Sequence, residues 1–265
     1  MCGIFGYFCK RSASLQTVLE LLEVLEKHRF EGEEDLAGGH GAGVGFLDVS
    51  GKLVTYKVGK KSDSPTKDLL EIREVAEAES RIVIGHVRRA SDFLIDTVKY
   101  REAAQPYKVN CLGLLEIISA HNGKVDNYES IRRSLSREHR FESGTAEVKL
   151  NDSEVIPHLF EENLLMYDDE IEARRNTATK IEGNNTVLLA TWLEGTGRLH
   201  VLHKGSTRGL HVWENDNREI ILCSREDPLR QVFGDTLEEG RFGKVLSIEW
   251  KERRAAQRTF QIVQA

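Results

Sequence analysis

Cysteine is the second residue of this chain, and removal of the initiator methionine would leave a thiol and a free α-amine on one carbon. An α-amine titrates near ~7.7–8.0 and a free thiol near ~8.5, so a neutral amine can take the thiol proton, directly or through water. Cys2 would then be a nucleophile carrying its own general base, with no histidine required. The plainer reading is an inert residue at the start of a buried strand. Three downstream motifs bear on that choice. Gly85-His86-Val87-Arg88-Arg89-Ala90-Ser91 follows an apolar run. A guanidinium there can grip a carboxylate with two parallel hydrogen bonds, or simply be half of a solvated charge pair. His121-Asn122-Gly123 closes a second apolar run, where a side-chain amide beside a glycine N–H can stabilise the oxyanion of acyl transfer. As an isolated Asn-Gly pair it would read as a hairpin turn, but the segment after it is helical in pattern. Asn151-Asp152-Ser153-Glu154 precedes a further helical pattern. Asp152 or Ser153 would cap that helix, or the carboxylate would bind an ammonium group.

Taken in order, Met-Cys-Gly-Ile-Phe-Gly, His-x-Arg-x-Ala-Ser, His-Asn-Gly and Asp-Ser-Glu resemble the glutaminase domain of class-II glutamine amidotransferases, which are N-terminal-nucleophile hydrolases. The resemblance runs from Met1 to about Leu159. It implies that Cys2 attacks the side-chain amide of glutamine with its own α-amine as base. Asn122 and the Gly123 amide would hold the oxyanion, Arg88 the α-carboxylate and Asp152 the α-ammonium. Ammonia would leave, and water would hydrolyse the γ-glutamyl thioester to glutamate, with no cofactor. Ser91 joins the substrate-binding set where the family has threonine, and Arg89 stands where many members have an aromatic residue. Synthase-fused members carry an acceptor domain, for which 265 residues leave no room. The resemblance therefore implies a stand-alone glutaminase domain whose ammonia passes to a separate synthase subunit. Two other readings share the motifs: a hydrolase of a different γ-glutamyl amide, and a non-catalytic glutamine-sensing module.

These groups need elements to hold them. Gly3–Phe8 reads as a short buried strand, and Ser14 as the cap of a helix with Leu15, Val18, Leu19, Leu22 and Leu25 at helical spacing. Val44–Val49 and Leu53–Val58 flank Ser50-Gly51 as a hairpin. Thr66–Ser80 is helical in pattern, Arg81–His86 is a strand, and Leu112–Ala120 is another. Asn127–Ser136 and Ser153–Met166 read as helices. Thr186–Trp192, Arg198–His203, Leu210–Trp213, Glu219–Cys223 and Val245–Trp250 read as strands. Strands, then helices, then strands predict an α+β architecture of layered, mainly antiparallel sheets with helices outside. The resemblance implies the four-layer αββα sandwich, with Cys2 at the end of a central strand. With no composition break or linker, residues 1–265 are expected to form a single domain.

Composition excludes several classes. Lys and Arg number 37 against 43 Asp and Glu, a formal charge of −6. A sequence-independent nucleic-acid binder needs a basic surplus, so no nucleic-acid partner is expected. No apolar run approaches the ~20 residues of a membrane span, and Cys2–Phe8 lacks the cationic flank of a signal peptide. Cys2, Cys9, Cys111 and Cys223 are too few for a disulfide framework, which fits a reducing cytoplasm. The run Gly38–Gly45 has no Gly-Lys-Ser/Thr after it and precedes a strand, so a tight turn near the nucleophile is expected there instead of a phosphate loop. The nine histidines show no metal-ligand spacing and no Cys-x-x-Cys occurs, so no metal is expected. His28, His40, His86 and His121 read as hydrogen-bonding residues. Arg132-Arg133 and Glu170–Arg175 read as solvated helix faces.

Overall fold

The computed structural model describes residues 2–29, 33–205, 210–214, 219–238, 246–247 and 256–263. The chain runs β1 (Gly3–Ser14), α1 (Leu15–Glu26), β2 (Gly41–Leu47), β3 (Leu53–Gly59), α2 (Pro65–Leu70), α3 (Arg73–Ala76), β4 (Glu79–Val87), β5 (Tyr107–Val109) and β6 (Glu116–Gly123). It continues through α4 (Tyr128–Ser134), α5 (Val155–Tyr167), α6 (Glu170–Lys180), β7 (Asn185–Leu193), β8 (Thr196–Lys204), β9 (His211–Glu214), β10 (Ile220–Cys223), α7 (Glu226–Glu238), β11 (Leu246–Ser247) and β12 (Ala256–Val263). Among the described residues the strands pair antiparallel in two sheets. One runs β11-β9-β10-β1-β4-β2-β3 and the other β12-β8-β7-β6-β5.

The period of two along each strand builds the layers. On β1, Ile4 and Phe8 pack toward Ile118 and Ala120 of β6 and Leu188 and Ala190 of β7, filling the space between the sheets. Their neighbours Phe5, Tyr7 and Cys9 point the other way, into a core with the leucines of α1 and with Leu229 and Phe233 of α7. On the far face of the second sheet, Ile117, Val187, Leu189 and Leu202 pack under Val155, Leu159 and Phe160 of α5 and Ala173 of α6. Three cores separate four layers, the αββα sandwich. Ser14 caps α1 by accepting from Gln16 N at 3.2 Å, and Leu15, Val18, Leu19, Leu22 and Leu25 are buried. No helix among the described residues is long and apolar enough to cross a membrane.

Several elements differ from the sequence expectation. β1 runs on from Phe8 to Ser14 through an irregularity between Phe8 and Ala13. Thr66–Ser80 is two short helices followed by the start of β4, because Ile72 is extended between them. The strand expected from Leu112 begins only at Glu116, and it includes His121, Asn122 and Gly123. Asp152 and Ser153 do not cap the following helix: Asn151 accepts from Ser153 N at 3.1 Å and starts a 3-10 turn over Asp152–Glu154, from which α5 continues. Of Val245–Trp250, Leu246–Ser247 pairs with β9, and the rest lies outside the described residues. The face Glu170–Arg175 is not solvated throughout. Glu170 and Arg174 are buried, with Glu170 accepting from Thr191, Arg198 and His200 of β7 and β8.

Candidate active site

Cys2 immediately precedes β1, which lies at the middle of its sheet and pairs Gly3 with Val87 of β4. That register brings the residues just beyond β4 alongside the thiol. Arg89 N donates to Cys2 Sγ at 3.3 Å, and the thiol donates to Arg89 O at 3.4 Å. Burial raises the thiol pKa above its ordinary value, opposed by the Arg89 N–H and by the charge of Arg88. A thiol that keeps its proton near neutrality needs a base to become a nucleophile. Arg88 is itself buried: its backbone N donates to Gly41 O at 2.8 Å and its Nη2 to Thr97 Oγ1 at 2.7 Å. Guanidinium keeps its charge even when burial lowers its pKa, as it does here. His40 secures the same loop, donating from its backbone N to Arg88 O at 2.9 Å and accepting from Ala90 N at Nδ1 at 3.1 Å. Burial pushes His40 down to about 4, which keeps that nitrogen an acceptor. The Gly38–Gly45 run therefore backs the loop beside Cys2 as the lead-in and larger part of β2, with Gly39 and Gly41 at φ of 91° and 148°.

Asn122 and Gly123 end β6 on the opposing sheet. Asn122 Nδ2 donates to the Cys2 carbonyl at 3.1 Å, while its Oδ1 is buried without a partner. Gly123 has φ of 137°, and a Cβ there would lie 2.0 Å from the carbonyl oxygen of Asn184. Only glycine takes this conformation and this approach together. Asp152 Oδ2 accepts from Val125 N at 2.8 Å, tying the turn before α5 to the chain just after Gly123.

Cys2, Arg88, Ser91, Gly123 and Asp152 line one cavity of about 450 Å³, walled on its apolar side by Phe93, Leu94, Tyr128 and Leu150. Asn122 sits behind the lining, against Cys2. Motif reading missed what lies beneath. His121 Nε2 donates to Asn185 Oδ1 at 2.9 Å, so its Nδ1 accepts from the Ser153 hydroxyl, also at 2.9 Å. Gln105 donates from Nε2 to His121 O and lies against Ser153 Oγ, and its Oε1 accepts from His121 N at 2.7 Å. This buried set ties the end of β6 to the turn that carries Asp152. His121 is the hydrogen-bonding residue its sequence reading expects, whereas Gln105 had no signal at all, because its partners come from distant segments.

A cysteine heading a central strand of one of two stacked antiparallel sheets, with helices on both outer faces, is the arrangement of the N-terminal-nucleophile hydrolase fold. Among solved structures, the allosteric regulatory enzyme of purine biosynthesis shares this fold with a TM-score of 0.66 at 21% identity, over 88% of this chain and 43% of that one. Glutamine phosphoribosylpyrophosphate amidotransferase from B. subtilis does so with a TM-score of 0.63 at 19% identity. No family model matches the chain. A glutamine–fructose-6-phosphate aminotransferase of Pyrococcus horikoshii is 29% identical over 257 residues, 94% of this chain and 37% of that protein. An amidophosphoribosyltransferase of Methanocaldococcus jannaschii is 31% identical over 190 residues, 71% of this chain and 35% of that protein. The chain belongs to the class-II glutamine amidotransferases, a family of enzymes. It spans roughly a third of the length of these two curated relatives.

Proposed function

We propose that residues 1–265 form a single glutaminase domain that hydrolyses the side-chain amide of glutamine and supplies the ammonia to a separate synthase. The observation that carries this reading is the meeting of Cys2, Arg88, Gly123 and Asp152 on one cavity, with Asn122 bonded to the nucleophile's own carbonyl. Pairing of β1 with β10 and of β8 with β12, from segments far apart in the chain, supports one domain. Glutamine is a zwitterion, and a buried guanidinium with a carboxylate suits its two charges.

With Met1 removed, the α-amine of Cys2 takes the thiol proton as Sγ bonds to the amide carbon. The oxyanion is held by the Gly123 N–H and by one hydrogen of the Asn122 amide. The other hydrogen stays on the Cys2 carbonyl and fixes the group's aim. Collapse returns the proton to the departing ammonia and leaves a γ-glutamyl thioester. Water then attacks with the amine as base, releasing glutamate and restoring the thiol. The family relationship supports glutamine as substrate.

The test starts with intact mass, which should show a chain beginning at Cys2. That protein should release glutamate from glutamine, and Cys2→Ala should abolish turnover while leaving the fold unchanged. Glutamine binding without glutamate release in the processed protein would overturn the reading. So would a substituted γ-glutamyl amide whose kcat/KM exceeds that of glutamine by more than about 100-fold.

A further inference from the structure

Away from the cavity, α5 buries polar side chains among its apolar ones. His158 and Glu161, one turn apart on one face, are both fully buried. They meet Cys111 from the β5–β6 connection and His139 from the stretch between α4 and Asp152. One donor atom from each of these four residues lies within 4.8 Å of all the others. His139 Nδ1 is 3.1 Å from His158 Nδ1 and 3.5 Å from Glu161 Oε2, and Cys111 Sγ is 3.8 Å from His158 Nδ1. A tetrahedron with zinc's usual bonds to sulfur, nitrogen and oxygen sets neighbouring donors roughly 3.3–3.6 Å apart. Glu161 Oε2 is buried with no hydrogen-bond partner although it faces this cluster.

The geometry points to a structural zinc site formed by Cys111, His139, His158 and Glu161. One thiolate and one carboxylate neutralise a divalent ion, and two imidazoles complete a closed four-ligand shell of borderline-soft donors. Surrounding hydrogen bonds orient His139, Cys111 and Glu161, whereas His158 Nε2 is buried without a partner. His139 Nε2 lies 3.2 Å from Glu162 Oε1, which fixes the tautomer with the Nδ1 lone pair turned inward. Arg140 N donates to Cys111 Sγ at 3.4 Å, and Leu112 N donates to the outer oxygen of Glu161 at 2.8 Å. The phenyl ring of Phe141 covers His158 with ring centres 4.1 Å apart. Cys111 is partly exposed, which leaves an approach for the ion. The expectation of no metal rested on spacing. Only the His-x-x-Glu pair on α5 carries a ligand spacing, and the other two donors lie 19 and 47 residues upstream of His158. The ion would tie the stretch before Asp152 to α5 and to the lead-in of β6, the two elements that deliver Asp152 and Gly123 to the cavity.

The experiment measures zinc by elemental analysis in the full chain purified without chelator. It then titrates Co²⁺ into the metal-stripped chain and reads the thiolate-to-cobalt charge-transfer band and the thermal midpoint. Close to one zinc per chain is expected, with a saturable cobalt band and a raised midpoint. Cys111→Ser should lose the band and His158→Ala most of the zinc, while Cys2→Ser should keep both, separating this site from the nucleophile. Should the first two variants fail to fold, the cobalt spectrum of the unmutated and Cys2→Ser chains still decides the matter. A chain that purifies without zinc and gives neither band nor midpoint shift with Co²⁺ or Zn²⁺ overturns the proposal, as does a band that disappears with Cys2→Ser.

Discussion

In the proposed mechanism Asn122 is the side chain on which the chemistry is most finely balanced. Its amide nitrogen has two hydrogens, and one is committed to the Cys2 carbonyl. Its Oδ1 is buried and unpartnered, so the orientation of the amide is set by that one hydrogen bond and by the strand beneath. If the second hydrogen serves the oxyanion, it acts in the transition state and not in substrate binding. Asn122→Ala should therefore lower kcat by about 10²–10³-fold and leave KM for glutamine within a few-fold. Steady-state kinetics on the processed enzyme check this. A variant that raised KM with kcat unchanged would instead mark Asn122 as a binding group. The sequence pointed to Asn122 because an amide beside glycine closes an apolar run. It gave no sign that the pair belongs to the strand itself, since neither the left-handed φ of Gly123 nor its close approach to Asn184 is visible in a three-residue motif.

At the scale of elements, what was legible followed periodicity and what was not followed tertiary contact. The β2–β3 hairpin shows alternating apolar residues around a turn, where Asp48 accepts from both Ser50 N and Lys52 N. Its position in the sheet came from the sequence only as a turn near the nucleophile. Thr66–Ser80 misled because its acidic, helix-forming composition hides the extended Ile72 that splits it. Glu170 misled because charge runs are usually solvated, whereas its partners come from β7 and β8. Gly43 makes the packing of β2 testable. A Cβ there would lie 2.2 Å from the carbonyl of Gln105, the residue that braces β6. Backbone cannot yield as a flexible side chain can, so Gly43→Ala should destabilise by about 1–3 kcal/mol. Gly234 is the contrast: it lies within α7, and a Cβ there meets nothing within 4 Å. Gly234→Ala should stabilise by about 0.5–1 kcal/mol through helix propensity. Denaturant unfolding of both variants reads the two signs, and equal shifts would refute the close approach of β2 to Gln105.

Stacking four layers buries histidines at several levels, and their protonation ties the stability of the whole molecule to pH. Burial pushes His86 on β4 down to about 3, and it lowers His121 on β6 and His200 on β8 as well. Each is a base with a folded pKa below its unfolded value near 6.5. Its contribution is complete above pH 6.5 and is lost as pH falls toward the folded pKa, because only the unfolded chain takes the proton. For His86 the loss from pH 7.5 to 5 is about 2 kcal/mol. Glu154 works in the opposite direction. Burial raises it to about 7, so the folded chain holds its proton first and gains stability as pH falls from 7 toward 4.5. The total slope mixes both signs, and a single substitution isolates one of them. His86 Nε2 lies 3.3 Å from Gln105 Nε2, and a glutamine at position 86 keeps an acceptor there without a group that charges. His86→Gln should be less stable than the parent at pH 7.5 through altered packing. Between pH 7.5 and 5, however, it should lose about 2 kcal/mol less than the parent. Chemical denaturation at both values measures the difference, and parallel losses in the two proteins would mean that His86 takes its proton in the folded state as readily as in the unfolded one.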